Sequence, residues 1–303
     1  MTDEAITLIR QRDQEKPFFL NLWHYDVHIP CEAKEDQILY FEEKAKKMGL
    51  DQKNPFVEGE FFPIEKKKDL RLCRRTFQSD PVYAAMIYNL DLNIGRLLDA
   101  LEAEGLTENT LVVFTSDNGG LSTSLGSPTS NAPAREGKGW MYEGGVRVPM
   151  IAVWPNHIRP GSECDYPITS TDFFPTYLEA AGLPLMPDLH KDGQSMIPLL
   201  EEHETPAQRP IFWHYPHYGE LGCTPGSSVR LGKFKLLEFF EDMHVELYDL
   251  ENDFSEDFNL SETLPEKTAE LLDLLHSWRN SIEGKIPQAN PDYVPWPRFT
   301  TDE

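Results

Sequence analysis

The stretch LVVFTSDNGG (residues 111–120) combines a short apolar run with a polar turn. Its first part, LVVFTS (111–116), is rich in β-branched residues and predicts a buried strand. The following DNGG predicts a turn, because Asp, Asn and Gly are the usual turn formers. Two other apolar runs, FFLNLW (18–23) and PMIAVWP (149–155), predict further buried strands.

Helical patterns alternate with these strands along the chain. Apolar residues recur at spacings of three and four over 81–104, which predicts a long helix. Shorter helices are predicted over 2–12, 35–48 and 172–181. The mostly charged stretch 31–80 is predicted to be a surface excursion that contains the second of these helices. Strands that alternate with helices in this order predict an α/β fold with a mostly parallel sheet.

The composition changes near 201–210 (EEHETPAQRP), which is polar and contains two prolines. We place a domain boundary there, between residues 1–205 and 206–303. Beyond it, short apolar runs separated by Gly and acidic turns predict an antiparallel sheet, followed by a helix over 265–283. The runs are IFWHY (211–215), FKLLEFF (234–240) and VELYDL (245–250).

The overall composition excludes several classes of protein. The chain has 303 residues and a formal net charge of −23, which argues against a nucleic-acid binder because phosphate contacts need a basic face. It has no apolar run long enough to span a membrane and no signal peptide at its start. Its four cysteines form no CxxC pair and are expected to be free thiols: Cys31, Cys73, Cys164 and Cys223.

Asp117 and Asn118 are the first candidate ligands. Side by side, they offer two hard oxygen donors of the kind that suits Ca²⁺ or Mg²⁺. They follow a predicted strand, and ligands bind at the carboxyl ends of parallel strands in α/β sheets. Taken alone, this short motif favours a plain turn.

Four other positions could contribute to a site. Lys138, flanked by glycines, could place a point charge on an oxyanion, although a lone lysine is more often solvated. His28 follows a predicted strand and could act as a general acid, although a lone histidine is more often structural. His214 and His217, in the aromatic loop WHYPHY (213–218), could help to bind a sugar. A strand end that packs its own aromatic residues is equally consistent with that loop.

Five segments carry a family pattern: FFLNLWHYDVHIP (18–30), VVFTSDNGG (112–120), PTSNAPAREGKGW (128–140), GKGWMYEGGVRVPMIAVWP (137–155) and ELYDLENDFSEDFNL (246–260). In this order they resemble the sulfatase family, which belongs to the alkaline phosphatase superfamily, and look like its arylsulfatase-A-like bacterial members. The resemblance implies an alkaline-phosphatase-like, mostly parallel sheet flanked by helices. Residues 1–205 would form the C-terminal part of the catalytic domain, and 206–303 a small C-terminal subdomain.

The resemblance also implies roles for individual residues. Asp117 and Asn118 would be two ligands of a divalent cation, usually Ca²⁺. Lys138 would contact the sulfate, and His28 would sit beside the sulfate and the leaving-group oxygen. A cation and a lysine together neutralise charge on a sulfuryl group, and a histidine can protonate the departing oxygen. The implied reaction is hydrolysis of a sulfate ester on a small molecule or carbohydrate.

Two features of the family pattern are missing from this sequence. Sulfatases carry an Asp-Asp metal pair and a C-x-P-x-R or S-x-P-x-R motif, whose Cys or Ser becomes the formylglycine nucleophile. Here Cys223 comes nearest, but Ser227 stands where the motif requires Arg. We therefore expect a fragment without the nucleophile and with half of the metal site. Its partner would be the missing N-terminal segment as a separate chain.

Two alternative functions stay open on the sequence. The chain could come from a phosphodiesterase or phosphonate monoester hydrolase of the same superfamily, although the pattern from Lys138 to Pro149 favours a sulfatase. It could also be a degenerate, non-catalytic relative that binds a partner or a glycan. Members of the family are often periplasmic or secreted, and a signal peptide would lie upstream of this sequence.

Overall fold

The computed structural model describes residues 1–202 and 205–295, which form two compact units interleaved along the chain. Unit 1 comprises the described residues of Met1–Lys44, Pro81–Thr115 and Pro149–Ala207, and unit 2 those of Ala45–Asp80, Ser116–Val148 and Gln208–Glu303. One boundary between the units falls next to the predicted domain boundary at 205/206, which stays a prediction.

The described residues contain seven α-helices and eight strands. The helices are α1 (Thr2–Gln11), α2 (Glu35–Lys47), α3 (Pro81–Ala103), α4 (Glu143–Val146), α5 (Phe173–Ala180), α6 (Ile197–Leu200) and α7 (Pro265–Ser281). The strands are β1 (Phe56–Phe61), β2 (Arg71–Arg75), β3 (Val112–Thr115), β4 (Met150–Val153), β5 (Ile211–Tyr215), β6 (Gly226–Leu231), β7 (Phe234–Phe239) and β8 (Val245–Asp249). No helix in this part of the chain is long and apolar enough to cross a bilayer.

Unit 1 is built on two packed helices and a two-stranded sheet. Helix α1 buries Ile6 and Ile9, and it packs against α3, as their apolar spacing predicts. Strands β3 and β4 pair antiparallel, with Phe114 opposite Ile151. The α/β class is therefore confirmed, but the described strands pair only antiparallel, and the predicted parallel arrangement is not seen among them.

Three predictions of buried strands were wrong in unit 1. Residues 18–23 form no strand in the structure, and Phe19 and Trp23 are exposed. Strands β3 and β4 do form, but neither contains a buried residue. An apolar composition favours an extended backbone, whereas ladder pairing and burial require neighbouring elements to supply hydrogen bonds and cover.

Unit 2 contains a four-stranded antiparallel sheet in the order β5-β6-β7-β8. Both of its faces carry buried apolar residues. Helix α7 covers one face, where Leu271 and Leu275 join a fully buried cluster with three sheet residues: Val229, Leu236 and Leu247. On the other face Leu237 packs with Met141, from the segment before α4. The predicted small antiparallel sheet with a packed helix is confirmed.

Strand β6 and the β1–β2 hairpin of unit 2 were not predicted. Strand β6 has the polar sequence GSSVRL, which lacks an apolar run, yet it lies in the middle of the sheet. Strands β1 and β2 form a hairpin inside 31–80, where Leu72 and Cys73 are buried. The prediction of a surface excursion was wrong for this hairpin, because a few apolar residues among many charges were enough to anchor it. Cys73, Cys164 and Cys223 are free thiols.

Candidate active site

Asp117 and Asn118 lie in the turn that follows β3. The Asp117 side chain is exposed and Asn118 is half-buried. The Ser116 hydroxyl donates a hydrogen bond to the Asn118 carbonyl over 3.1 Å, which shapes the turn. The Asn118 amide nitrogen donates to the Gly119 carbonyl at 2.9 Å. With its nitrogen engaged in this way, the amide would offer Oδ1 to a cation.

Two loops approach each other at backbone distance. The first is the turn over 116–120, which carries Asp117 and Asn118, and the second is the loop over 137–145. A Cβ atom on Gly119 would lie 1.7 Å from the Gly144 carbonyl oxygen, a distance that no side chain tolerates. The Gly119 amide donates to the Gly145 carbonyl at 3.0 Å. On the same principle, a Cβ on Gly137 would lie 2.3 Å from the Gly120 carbonyl oxygen. These glycines therefore serve close packing of the two loops.

Lys138 lies on the second of these loops and is half-buried. Its backbone amide donates to the Gly120 carbonyl over 3.1 Å. The structure thus joins the loop that carries Lys138 to the turn that carries Asp117 and Asn118. All three residues belong to unit 2.

Asn131 holds these two loops together, and sequence reasoning missed its role. Its side-chain oxygen accepts from the Gly120 amide at 3.0 Å, and its nitrogen donates to the Gly120 carbonyl at 2.8 Å. The same nitrogen donates to the Glu136 carbonyl at 2.9 Å. No sequence signal distinguished this asparagine from a turn former, because its partners are backbone groups of a loop 11 residues away.

A buried ion cluster fixes the segment that follows Lys138. The Lys235 ammonium lies 2.9 Å from Glu143 and 3.0 Å from Glu256, and all three side chains are at most 1% exposed. The Glu143 amide, at the start of α4, donates to the Glu256 carboxylate at 2.7 Å. Burial works to raise the pKa of Glu143, but Lys235 keeps it below its usual value. Burial raises the pKa of Glu256.

The three candidate histidines lie in other segments of the chain. His28 is exposed in a turn of unit 1, and its Nδ1 is 2.7 Å from the Ile29 carbonyl oxygen. His214, on β5, has Nδ1 2.7 Å from the Ser227 hydroxyl and Nε2 3.1 Å from the Lys285 carbonyl. Burial lowers the pKa of His214. His217 is exposed. The clustering of His28 with Lys138, and the binding roles of His214 and His217, stay predictions.

The residues present fit one part of a cation site. Asp117 and Asn118 supply two oxygen donors, whereas Ca²⁺ takes six to eight. Within residues 1–202 and 205–295, no group of three or more His, Cys, Asp or Glu side chains could hold a metal ion. The donor chemistry therefore suits a hard divalent cation, with further ligands needed to complete the site.

A cavity of about 930 Å³ lies in unit 2 and shares part of its wall with the same loops. Its lining includes the stretch from Ser130 to Glu136, together with Trp140. The Trp140 indole nitrogen donates to the Leu221 carbonyl at 3.0 Å, which holds the ring in place. Arg74 donates to both carboxylate oxygens of Glu136 at 2.9 Å. The cavity thus combines an aromatic ring with fixed charged groups.

Comparison with known proteins assigns the chain to a protein family. Residues 1–183 match the Sulfatase family, and residues 136–281 match a family described as N-sulphoglucosamine sulphohydrolase, C-terminal. The chain belongs to the sulfatase family. Members of this family are hydrolases and are generally metal-dependent. The predicted family membership is confirmed.

Individual relatives and a solved structure show how much of the chain is similar to known sulfatases. A sulfatase of Formosa agariphila is 33% identical and is matched over 98% of this chain and 53% of its own length. An N-acetylglucosamine-6-O-sulfatase of Bacteroides thetaiotaomicron is 33% identical over 68% of this chain and 36% of its own length. The solved structure of Ps i-CgsB with k-i-k-neocarrahexaose is 28% identical, with a TM-score of 0.72, over 91% of this chain and 53% of that one. The chain therefore spans about half of the first relative.

Proposed function

We propose that this chain provides one part of a sulfatase active site, in which the whole protein hydrolyses sulfate esters. The observation that carries the proposal is the backbone hydrogen bond between Lys138 and Gly120. It joins the loop of the sulfate-contacting lysine to the turn of the two cation ligands, Asp117 and Asn118. A site that neutralises a sulfuryl group needs its positive charges at fixed positions, because preorganised charge costs no rearrangement during the reaction.

Each residue has a distinct task in this proposal. The Lys138 ammonium binds the sulfate oxygens as a point charge. Asp117 and Asn118 hold a divalent cation, which supplies further positive charge to the sulfuryl group when it is bound. His28 gives a proton to the departing ester oxygen from its imidazole. Asn131 positions the two loops through its side-chain hydrogen bonds to Gly120 and Glu136.

We further propose that the substrate is a sulfated carbohydrate. The B. thetaiotaomicron relative acts on a 6-O-sulfated N-acetylglucosamine by its name, and the solved structure holds an oligosaccharide by its description. In this chain, the cavity beside the lysine loop has room for a sugar ring and presents Trp140. Aromatic faces pack well against the apolar face of a sugar, while charged groups bind its hydroxyls.

An assay of 4-nitrocatechol sulfate hydrolysis tests the proposal. The chain alone is expected to show no turnover, even when it is co-expressed with a formylglycine-generating enzyme, because none of its cysteines lies in a C-x-P-x-R motif. Turnover is expected when the chain is co-expressed with the part of the F. agariphila sulfatase that it does not match. Lys138→Ala should then reduce kcat/KM at least 100-fold, whereas the exposed Lys233→Ala should leave it unchanged.

Two outcomes would contradict this assignment. Turnover by the chain alone that is abolished by Cys223→Ala would make Cys223 the nucleophile. Turnover in the co-expressed pair that is unchanged by Lys138→Ala would show that Lys138 does not act in the site.

Calcium titration by calorimetry tests the cation ligands directly. Two protein ligands leave most of a six- to eight-oxygen site to water, so the chain alone should bind Ca²⁺ weakly. Asp117→Ala should abolish the heat of binding, and Asp257→Ala, an exposed acidic residue in the same unit, should not. Sub-micromolar affinity would mean that further ligands exist in this chain.

A further inference from the structure

The loop that carries Lys138 is closed at its base. Its two ends meet where the Gly144 amide donates a hydrogen bond to the Arg135 carbonyl at 2.8 Å. We call residues 135–144 the 135–144 loop. A Cβ atom on Gly144 would lie 2.4 Å from the same carbonyl oxygen, so this approach requires glycine. The position of Lys138 therefore depends on what holds the two ends of the 135–144 loop.

Glu256, which lies outside the loop, contacts both of its ends. The Glu256 carboxylate accepts a hydrogen bond from the Glu143 amide at 2.7 Å. The Glu256 backbone carbonyl accepts another from the Arg135 guanidinium at 2.8 Å. That guanidinium also donates to the Tyr248 hydroxyl at 3.0 Å, which fixes its direction. The side chain and the main chain of one residue therefore hold the loop at both ends.

Glu256 adopts a backbone conformation that is rare outside glycine. Its φ is +55°, in the left-handed region, and its side chain is 0% exposed. Its carboxylate lies 3.0 Å from the Lys235 ammonium, which compensates the buried charge. Glycine would suit this backbone without strain, so the turn itself gives no reason for a glutamate here. The reason lies in the contacts that the side chain makes, because strained residues persist where such contacts fix them.

We propose that Glu256 is a positioning residue for Lys138. By holding both ends of the 135–144 loop, it fixes where Lys138 lies relative to the turn that carries Asp117 and Asn118. A sulfuryl group is stabilised by charges that are fixed before the reaction, so a loop that shifts would weaken the contribution of Lys138. The task given to Lys138 rests on the proposed function, whereas the hold on the loop is independent of activity.

Hydrogen exchange of the chain alone tests this hold. Glu256→Gly removes the carboxylate while it suits the left-handed backbone, so exchange over 136–143 should become about tenfold faster or more. Glu256→Gln keeps an acceptor for the Glu143 amide and should restore most of the protection. The matched control is Glu251→Gly, at an exposed glutamate of a nearby turn, which should leave exchange over 136–143 unchanged.

Exchange over strands β6 and β7 separates a local effect from a global one. It should change by less than about twofold in Glu256→Gly. Equal acceleration of the sheet and the loop would show that Glu256 stabilises the unit as a whole, which would overturn the proposal. Unchanged exchange over 136–143 would also overturn it. If Glu256→Gly does not fold, Arg135→Met takes its place, because it removes the other contact and should loosen the same residues.

Kinetics of the co-expressed pair test whether the hold acts through Lys138. Glu256→Gly should reduce kcat/KM about tenfold or more, and Glu256→Gln should restore most of it. When Lys138→Ala is already present, Glu256→Gly should have less than about a twofold further effect, because the residue that it positions is gone. Losses that multiply would show that Glu256 acts independently of Lys138 and would overturn its positioning role.

The exchange and kinetic results keep this proposal separate from the proposed function. Absence of turnover in the unsubstituted pair would contradict the proposed function, and the exchange of the chain alone would still decide whether Glu256 holds the loop of Lys138. Turnover that Glu256→Gly leaves unchanged would contradict the positioning role alone.

Discussion

Similar apolar strands are buried in unit 2 and left partly exposed in unit 1. In unit 2, strand β7 (FKLLEF) buries both Leu236 and Leu237 completely, one on each face of the sheet. In unit 1, strand β4 (MIAV) buries no residue at all. The two strands differ in what packs against them. Helix α7 and the segment around Met141 pack on the two faces of β7, whereas Ile151 of β4 is exposed to solvent.

This contrast teaches that apolar content alone does not make a core. Burial of apolar surface contributes about 25 cal/mol per Å², but only when another element excludes water from it. Unit 2 also contains buried charges that are compensated, notably the cluster around Lys235. We therefore expect substitutions in unit 2 to cost far more stability than comparable substitutions on the exposed side of unit 1.

The largest effect is expected for Lys235→Met. This variant leaves the buried carboxylates of Glu143 and Glu256 without their shared cation, which should lower the free energy of unfolding by about 3–5 kcal/mol. Urea unfolding followed by circular dichroism measures the change. The matched control is Lys233→Met, which removes only a partly exposed pair with Asp249 and should therefore cost much less stability than Lys235→Met. Equal losses of unfolding free energy for the two variants would contradict the stabilising role of the Lys235 cluster.

An intermediate effect is expected for Leu275→Ala in the core of unit 2. Leu275 is fully buried between α7 and the sheet, so its truncation should cost about 2–5 kcal/mol. Ile151→Ala, on the uncovered face of unit 1, should change stability by about 0.5 kcal/mol or less. The same urea titrations compare them. A cost for Ile151→Ala similar to that for Leu275→Ala would contradict the exposed position of Ile151.

The smallest perturbation is a labelling experiment that leaves the sequence intact. Cys164 of unit 1 is exposed, whereas Cys223 of unit 2 is fully buried, and burial raises its pKa to about 12. Thiolate is the reactive form, so at pH 8 Cys223 is both protonated and inaccessible. N-ethylmaleimide should modify Cys164 within minutes and leave Cys223 unmodified until urea is added, as measured by peptide mass spectrometry. Rapid modification of native Cys223 would contradict its buried position.

The sequence offered candidate site residues whose chemistry is local, and their roles stay predictions. Asp117, Asn118 and Lys138 stand in short motifs whose residue types suit a cation and an oxyanion, and the resemblance to sulfatases joined them. Asn131 was not predictable, because nothing in its own segment distinguishes it from a turn former. Its function depends on backbone groups of Gly120 and Glu136, which only the folded loops bring within reach.

The sequence by itself determined the positions of α3 and α7 and the strand tendency of β3, β4, β7 and β8. These are consequences of helical periodicity and β-branched composition, which are properties of neighbouring residues. Only the tertiary structure decided which of those strands are buried, and that polar β6 lies between β5 and β7 in the sheet of unit 2. The physical reason is that burial and ladder hydrogen bonds depend on elements far away in the sequence, and no local pattern encodes whether those elements are present.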